Sequence, residues 1–268
     1  MATTTKLTGE NELERTLHDE FYGGLGLTDS QLQRASAPDR LKLYRENPDR
    51  EWTPKQYQFY LLGDLTGMTV CDYACGDGAD AVLLAANGAR FIRAFDISNS
   101  AVEIVRRRAR LCGIEAQLEV RQDNAEQLSY EANSFDAIYG SSVLHHLDIE
   151  KAAREVHRVL KPGGRAVFRE PYEQSRLLAG IIKLIFRVSS LKPDAVSPQR
   201  QLNEADVVLL ASIFSRVNVK AFGLFNRVDR ILKNTTVVEN IGHLDALLLK
   251  NVPFLRTYAR HIVIECIK

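Results

Sequence analysis

From about residue 68 onward, short apolar runs alternate with helical stripes. Residues 68–73 form a buried-strand run, and 91–96, 117–121, 137–140 and 165–169 mark four further strands. Residues 79–86 read as a helix closed by Asn87-Gly88. Ser100-Ala101-Val102-Glu103 reads as a capping box opening a helix to Leu111. Ala152, Ala153, Val156, Val159 and Leu160 form a helical stripe ended by Pro162-Gly163-Gly164. A helix at 203–214 and strands at 217–224 and 261–267 follow. Alternating elements with short connections predict a parallel, doubly wound α/β sheet.

Two regions depart from this rhythm. Residues 1–65 read as helices and connections, including 10–22 and 54–64, and form an N-terminal cap. Their aromatics, among them Phe21, Tyr22, Tyr44, Trp52 and Tyr57, are too many for a disordered tail. Residues 66–268 form the main domain, with insertions at about 172–202 and 225–258. Within the first insertion, 175–190 is apolar and basic, too short and too charged to span a bilayer. It reads as a lid helix, a core helix or an interfacial membrane contact, the lid being preferred.

Composition narrows the function classes. The 268 residues carry 35 basic and 34 acidic side chains, so no global charge favours nucleic acid. Arg106-Arg107-Arg108 with Arg110 reads as a solvated helix face. The polar start Met1-Ala2-Thr3-Thr4-Thr5-Lys6 lacks the apolar core of a secretory signal. Cys71, Cys75, Cys112 and Cys266 are dispersed, which suits reduced thiols and a cytoplasmic location.

The densest chemistry lies where the 68–73 strand runs into Cys75-Gly76-Asp77-Gly78. A strand, a glycine turn and a helix place a nucleotide-like ligand at the carboxyl end of a parallel strand. Gly76 to Ala81 satisfies G-x-G-x-x-G/A, and Asp96 lies twenty residues beyond Gly76, as in a dinucleotide fingerprint. Against that, Asp72 and Asp77 would repel a pyrophosphate and instead suit an ammonium or sulfonium group.

The wider chain favours the second reading. Asp72-Tyr73-Ala74-Cys75-Gly76-Asp77-Gly78 resembles the D-x-x-C-G-x-G signature of class I S-adenosylmethionine-dependent methyltransferases, of the small-molecule, methyltransferase-11-like type. Phe95-Asp96-Ile97-Ser98 resembles their second motif, and Asp123-Asn124-Ala125-Glu126-Gln127-Leu128 their D-A-E-x-L segment. Residues 135–147, from Phe135-Asp136 to His145-His146-Leu147, resemble the fourth-strand motif. Residues 155–165, ending Leu160-Lys161-Pro162-Gly163-Gly164-Arg165, resemble the helix, turn and fifth-strand entry. The resemblance spans about 67–171. It implies a Rossmann-like, mostly parallel seven-stranded sheet whose last strand is antiparallel.

It also implies a cofactor, S-adenosyl-L-methionine, and the residues that hold it. Asp72 and the loop through Ala74, Cys75, Gly76 and Gly78 would take the methionine end, and Asp96 both ribose hydroxyls. Ile97 would pack on the adenine, Ala125 would offer it a backbone N–H, and Ser141 would line the methionine portion. Asn124 stands where the family generally has aspartate, and Asp123 precedes it; either is the candidate for the adenine amino group. The expected chemistry is in-line transfer of a methyl group to a small organic acceptor, apolar or natural-product-like, in which orientation alone contributes about 7–11 kcal/mol. His145 or His146 is a candidate base, and Glu170 a second group for acceptor binding or proton removal. No metal and no nucleic acid are expected. Two other classes stay open: a non-catalytic S-adenosylmethionine-binding protein and an NAD(P)-dependent oxidoreductase.

Overall fold

The computed structural model describes residues 9–35, 53–172, 200–224 and 244–268. Three helices lead the chain: Gly9–Gly24 (α1), Asp29–Ala35 (α2) and Pro54–Leu62 (α3). A capping box starts α3: Thr53 Oγ1 accepts from Gln56 N at 3.2 Å, and the Gln56 side chain accepts from Thr53 N at 2.8 Å. Alternation then follows through Thr69–Tyr73 (β1), Ala79–Ala86 (α4), Phe91–Asp96 (β2), Asn99–Cys112 (α5) and Leu118–Gln122 (β3). It continues through Phe135–Ser141 (β4), Ile149–Val159 (α6) and Leu160–Pro171 (β5). Glu204–Ile213 (α7), Arg216–Phe222 (β6) and His261–Ile267 (β7) complete it.

The seven strands lie in the order β3-β2-β1-β4-β5-β7-β6. Helical crossovers join β1 to β2, β2 to β3 and β4 to β5, and only β7 runs against its neighbours, β5 and β6. The expected fold class is therefore observed. Its order reverses between β1 and β4, so a crevice opens beyond their carboxyl ends, where such sheets bind ligands. Helices cover both faces. Tyr73, Phe95 and Phe168 pack with Ala152, Val156 and Val159 of α6 on one side. Val70, Ile92 and Tyr139 pack with Phe59 of α3 and Leu83 and Leu84 of α4 on the other.

Three local expectations are corrected. The N-cap of α5 is Ser98, whose Oγ accepts from Ala101 N at 3.1 Å; Ser100 lies inside the helix, and Glu103 pairs with Arg106 instead of closing a box. Helix α6 stops at Val159, and Lys161-Pro162-Gly163-Gly164 lies within β5 as a bulge between the Phe135–Leu160 and Ala137–Arg165 pairs. A side chain at Gly164 would stand 2.9 Å from Lys161 O and 3.0 Å from Asp136 O, so the bulge closes only around glycine. Finally, Arg106 and Arg107 are solvated as expected, but Arg108 is buried.

Tyr44, Trp52, the 175–190 segment and most of the second insertion lie outside the described residues. Among the described residues no helix is long and apolar enough to cross a membrane.

Candidate functional site

The glycine loop after β1 is held by left-handed backbone at Ala74, Gly76 and Gly78. At Gly76 an added Cβ would lie 2.6 Å from the Tyr22 hydroxyl, and at Gly78 another would lie 2.8 Å from Val105 Cγ2. The first glycine therefore lets α1 close on the loop, and the second seats the start of α4 against α5. Cys75 N donates to Phe95 O at 2.9 Å, tying the loop to β2. Asp77 is not a free anion here: Arg108 Nη2 donates to its carboxylate at 2.8 Å and Arg108 Nε to its carbonyl at 2.7 Å. The argument against a pyrophosphate thus rests on Asp72.

Two adjoining cavities open beyond the strand ends. Asp72, Cys75, Gly76 and Asp80 line the first, and Asp96, Ile97, Asp123, Asn124 and Ala125 line the second. Ala74, Ser141 and Tyr22 line both. Of the cofactor-site residues expected from the sequence, only Gly78 reaches neither, having the packing role just described.

The site's carboxylates differ in what satisfies them. Asp72 is 2% exposed and its Oδ2 has no hydrogen-bond partner. Burial, then the nearby Asp80 charge, pushes its pKa well up. Asp96 accepts from Ser98 N at 3.0 Å and Gly76 N at 2.9 Å, which partly offsets the upward push of burial. Each of its oxygens keeps a further lone pair for a hydroxyl. Asp123 is used internally, accepting from Asn124 N at 2.9 Å and from Ser129 N and Oγ at 3.1 and 2.6 Å. Asn124 Oδ1 accepts from Glu126 N at 2.9 Å. The thiol of Cys75 is held protonated by burial, which makes it a packing group rather than a nucleophile. Ser141 Oγ accepts from Arg169 Nη2 at 2.6 Å.

The three residues expected to act on the acceptor separate into two kinds. Glu170 is fully buried, accepts from Val143 N and Leu144 N at 2.9 and 3.0 Å, and contacts His145 Nδ1 at 2.8 Å. Neither Glu170 nor His145 lines either of these two cavities; they fix the turn that follows β4. His146 does line the second cavity, and its ring centroid lies 4.1 Å from that of His145. Burial, then His145, pushes the His146 pKa down to about 4.

Sequence reasoning missed two residues here, Glu14 and His18 of α1. Glu14 Oε2 lies 3.3 Å from His18 Nε2 and 3.6 Å from His146 Nδ1. The signal was present: Asn11, Glu14, His18 and Tyr22 recur at one-turn spacings, which put them on one helix face, and all four line the second cavity. Asp19, on the same helix, accepts from Ser98 Oγ at 2.6 Å and Ser100 N at 3.1 Å, anchoring α1 to the start of α5.

Comparison with known proteins adds to this geometry. Residues 71–168 match the family model described as a methyltransferase domain. The chain is 35% identical over 100 residues to methyltransferase GfsG of Streptomyces halstedii, covering 37% of this chain and 36% of that one. It is 32% identical over 165 residues to the ubiquinone/menaquinone biosynthesis C-methyltransferase UbiE of Brucella abortus, covering 60% and 57%. The chain thus spans less than two thirds of the length of these curated relatives. Among solved structures, the geranyl diphosphate C-methyltransferase of Streptomyces coelicolor A3(2) superposes with a TM-score of 0.60 at 14% identity, over 97% of this chain and 98% of that one. The [4+2]-cyclase SpnF superposes at 0.52 with 19% identity, over 86% and 80%. These two likenesses concern the fold.

Proposed function

We propose that this chain, whose residues 71–168 match the methyltransferase-domain model, is a class I S-adenosylmethionine-dependent methyltransferase that transfers a methyl group from that cofactor to a small organic acceptor. The observation that carries this reading is the unpartnered, buried carboxylate oxygen of Asp72 in the cavity beyond β1. A buried acid with nothing to satisfy it suits a cationic ligand and opposes a pyrophosphate. When bound, S-adenosylmethionine supplies an electrophilic methyl on a sulfonium.

The chain's own residues then have distinct tasks. Asp72 holds the ammonium of the methionine end, and the backbone from Ala74 to Gly76 lies beside its carboxylate. Asp96 accepts from the ribose hydroxyls through its spare lone pairs. Asn124 Oδ1 and Asp123 Oδ1 each accept one internal hydrogen bond and keep a further lone pair, so either serves the adenine amino group. Ile97 and Ala125 flank the ring, Ser141 borders the methionine portion, and Tyr22 closes over the loop from the cap. Residues 1–65 act as that cap and 66–268 as the methyltransferase domain.

The acceptor is small, and apolar or natural-product-like. The relatives named above include C-methyltransferases, which supports that reading. His145 and Glu170 are positioning residues. His146 meets the acceptor as a neutral imidazole, since a base with a pKa near 4 abstracts protons poorly at neutral pH.

Calorimetric titration with S-adenosylhomocysteine, NAD and NADP tests the cofactor. Micromolar binding of the homocysteine compound alone is expected. Binding of a dinucleotide instead would overturn the reading in favour of an oxidoreductase. Cofactor binding with no turnover across an acceptor panel would leave a binding protein.

A further inference from the structure

We propose that Glu14, His18 and His146 form a binding site for a borderline divalent transition ion, of the zinc class, in the wall of the second cavity. The three residues each offer one donor atom, and these atoms lie within 4.8 Å of one another. Metal–donor bonds of zinc at 2.0–2.2 Å in a tetrahedron put neighbouring donors about 3.3 Å apart. Glu14 Oε2 lies 3.3 Å from His18 Nε2 and 3.6 Å from His146 Nδ1, close to that spacing. The two imidazole donors lie within 4.8 Å of each other, and the side chains that must turn to close that spacing are 20–31% exposed.

The site is assembled from two elements that are independently fixed. Glu14 and His18 are one turn apart on α1, so they project from one face. Asp19 anchors that helix through Ser98 and Ser100. His146 sits on the Leu144–His146 turn, which Glu170 holds by two backbone amides. The convergence is therefore a product of the fold and not of one flexible segment.

The donor set decides the metal. Two imidazoles and one carboxylate suit zinc, cobalt, manganese or iron, whereas magnesium and calcium prefer an all-oxygen shell. Three protein ligands leave one position open, as in catalytic zinc sites. All three ligands line the second cavity, which they share with Asp96 and Ser141, so the open position faces that cavity. Its role toward an acceptor rests on the methyltransferase reading; ion binding itself does not.

The test uses untagged full-length protein, stripped with a chelator and titrated with zinc by calorimetry and with cobalt by visible absorption. Expected are one equivalent of zinc, the intense bands of four- or five-coordinate cobalt displaced by zinc, and no heat with magnesium. Glu14→Gln, His18→Asn and His146→Asn should each weaken zinc by at least about 100-fold, more than the 10–100-fold seen for loss of an outer partner. Far-UV circular dichroism and metal-free melting temperatures matching those of the unaltered protein would show that the variants fold. In the unaltered protein, nitrogen-edited NMR of the six histidines should show zinc shifting His18 and His146 and sparing His157 and His261. No zinc binding, binding unaffected by the three substitutions, or shifts at His157 or His261 in place of His18 and His146 would overturn the proposal. Because cofactor binding is measured separately, its failure would overturn the methyltransferase reading and leave the metal site standing.

Discussion

At Asp72 the sequence and the structure agree on position and differ on surroundings. The acid was legible because it ends a strand and precedes a glycine turn, but its neighbour Asp77 read equally as a free charge. Arg108 removes that equivalence by reaching from α5, thirty-one residues away, to Asp77. The reach of that guanidinium depends on α5 packing beside the loop, and no local pattern records it. Asp72 is left as the unsatisfied acid. Its folded pKa is raised, so the folded state binds more protons than the unfolded one above the ordinary carboxylate pKa. Stability is therefore lost as pH rises through that window. Asp72→Asn removes the cost of ionising a buried acid and should raise the melting temperature of the ligand-free protein at neutral pH. The same change should weaken S-adenosylhomocysteine by about 10- to 100-fold, since a charge-assisted hydrogen bond contributes about 1.5–3 kcal/mol. Thermal melts and calorimetry read the two effects; a variant that loses both stability and affinity would contradict the assignment.

The element whose role the sequence disguised is α1. Leu13, Leu17 and Phe21 recur every four residues, a stripe that ordinarily marks a buried helix face. In the structure that stripe is 49–62% exposed, while Asn11, Glu14, His18 and Tyr22 turn toward the cavity. The helix is thus oriented by its polar contacts, Asp19 to Ser98 and Ser100 and Asn11 to Glu126, and not by its apolar pattern. Elements of the sheet were legible for the opposite reason. Their consecutive apolar residues have no destination except between two helical layers. The capping of α5 was misplaced by two residues because Ser98 and Ser100 both suit a helix start, and only the Asp19 contact distinguishes them. Asp19→Ala removes two hydrogen bonds to an ion, one of them to the N-terminal end of α5. It should loosen α1 at a cost of about 3 kcal/mol, counting each such bond at the bottom of its usual range of about 1.5–3 kcal/mol. If α1 closes the cofactor site, that loss should appear chiefly as faster S-adenosylhomocysteine dissociation, with association little changed. Stopped-flow fluorescence can separate the two rates; an unchanged dissociation rate would mean that α1 is not the gate.

Across the whole molecule, seven strands share one hydrogen-bonded sheet, so a charge change at its far side is felt as global stability. His261 begins β7, paired with Pro171 of β5 and Phe222 of β6. Its Nδ1 is buried without a partner, and burial, then Arg260 and Arg169, hold its pKa down to about 4. The unfolded chain binds that proton at an ordinary histidine pKa near 6.5. Between these values the unfolded state holds more protons, so stability falls as pH drops from about 6.5 toward 4. From pH 7 to pH 5 the loss from this one ring is about 2 kcal/mol by linkage. His146, similarly depressed, adds a loss of the same sign. Asp72 acts in the opposite direction, losing stability as pH rises, so the two kinds of buried group confine the most stable range between them. His261→Gln removes one of the acid-sensitive sites while keeping a polar side chain at the strand end. Urea unfolding midpoints at pH 7 and pH 5 should then lie closer together than in the unaltered protein, the difference shrinking by roughly half because His146 still titrates. An unchanged difference would mean that β7 opens locally at acid pH, letting His261 protonate without unfolding the sheet.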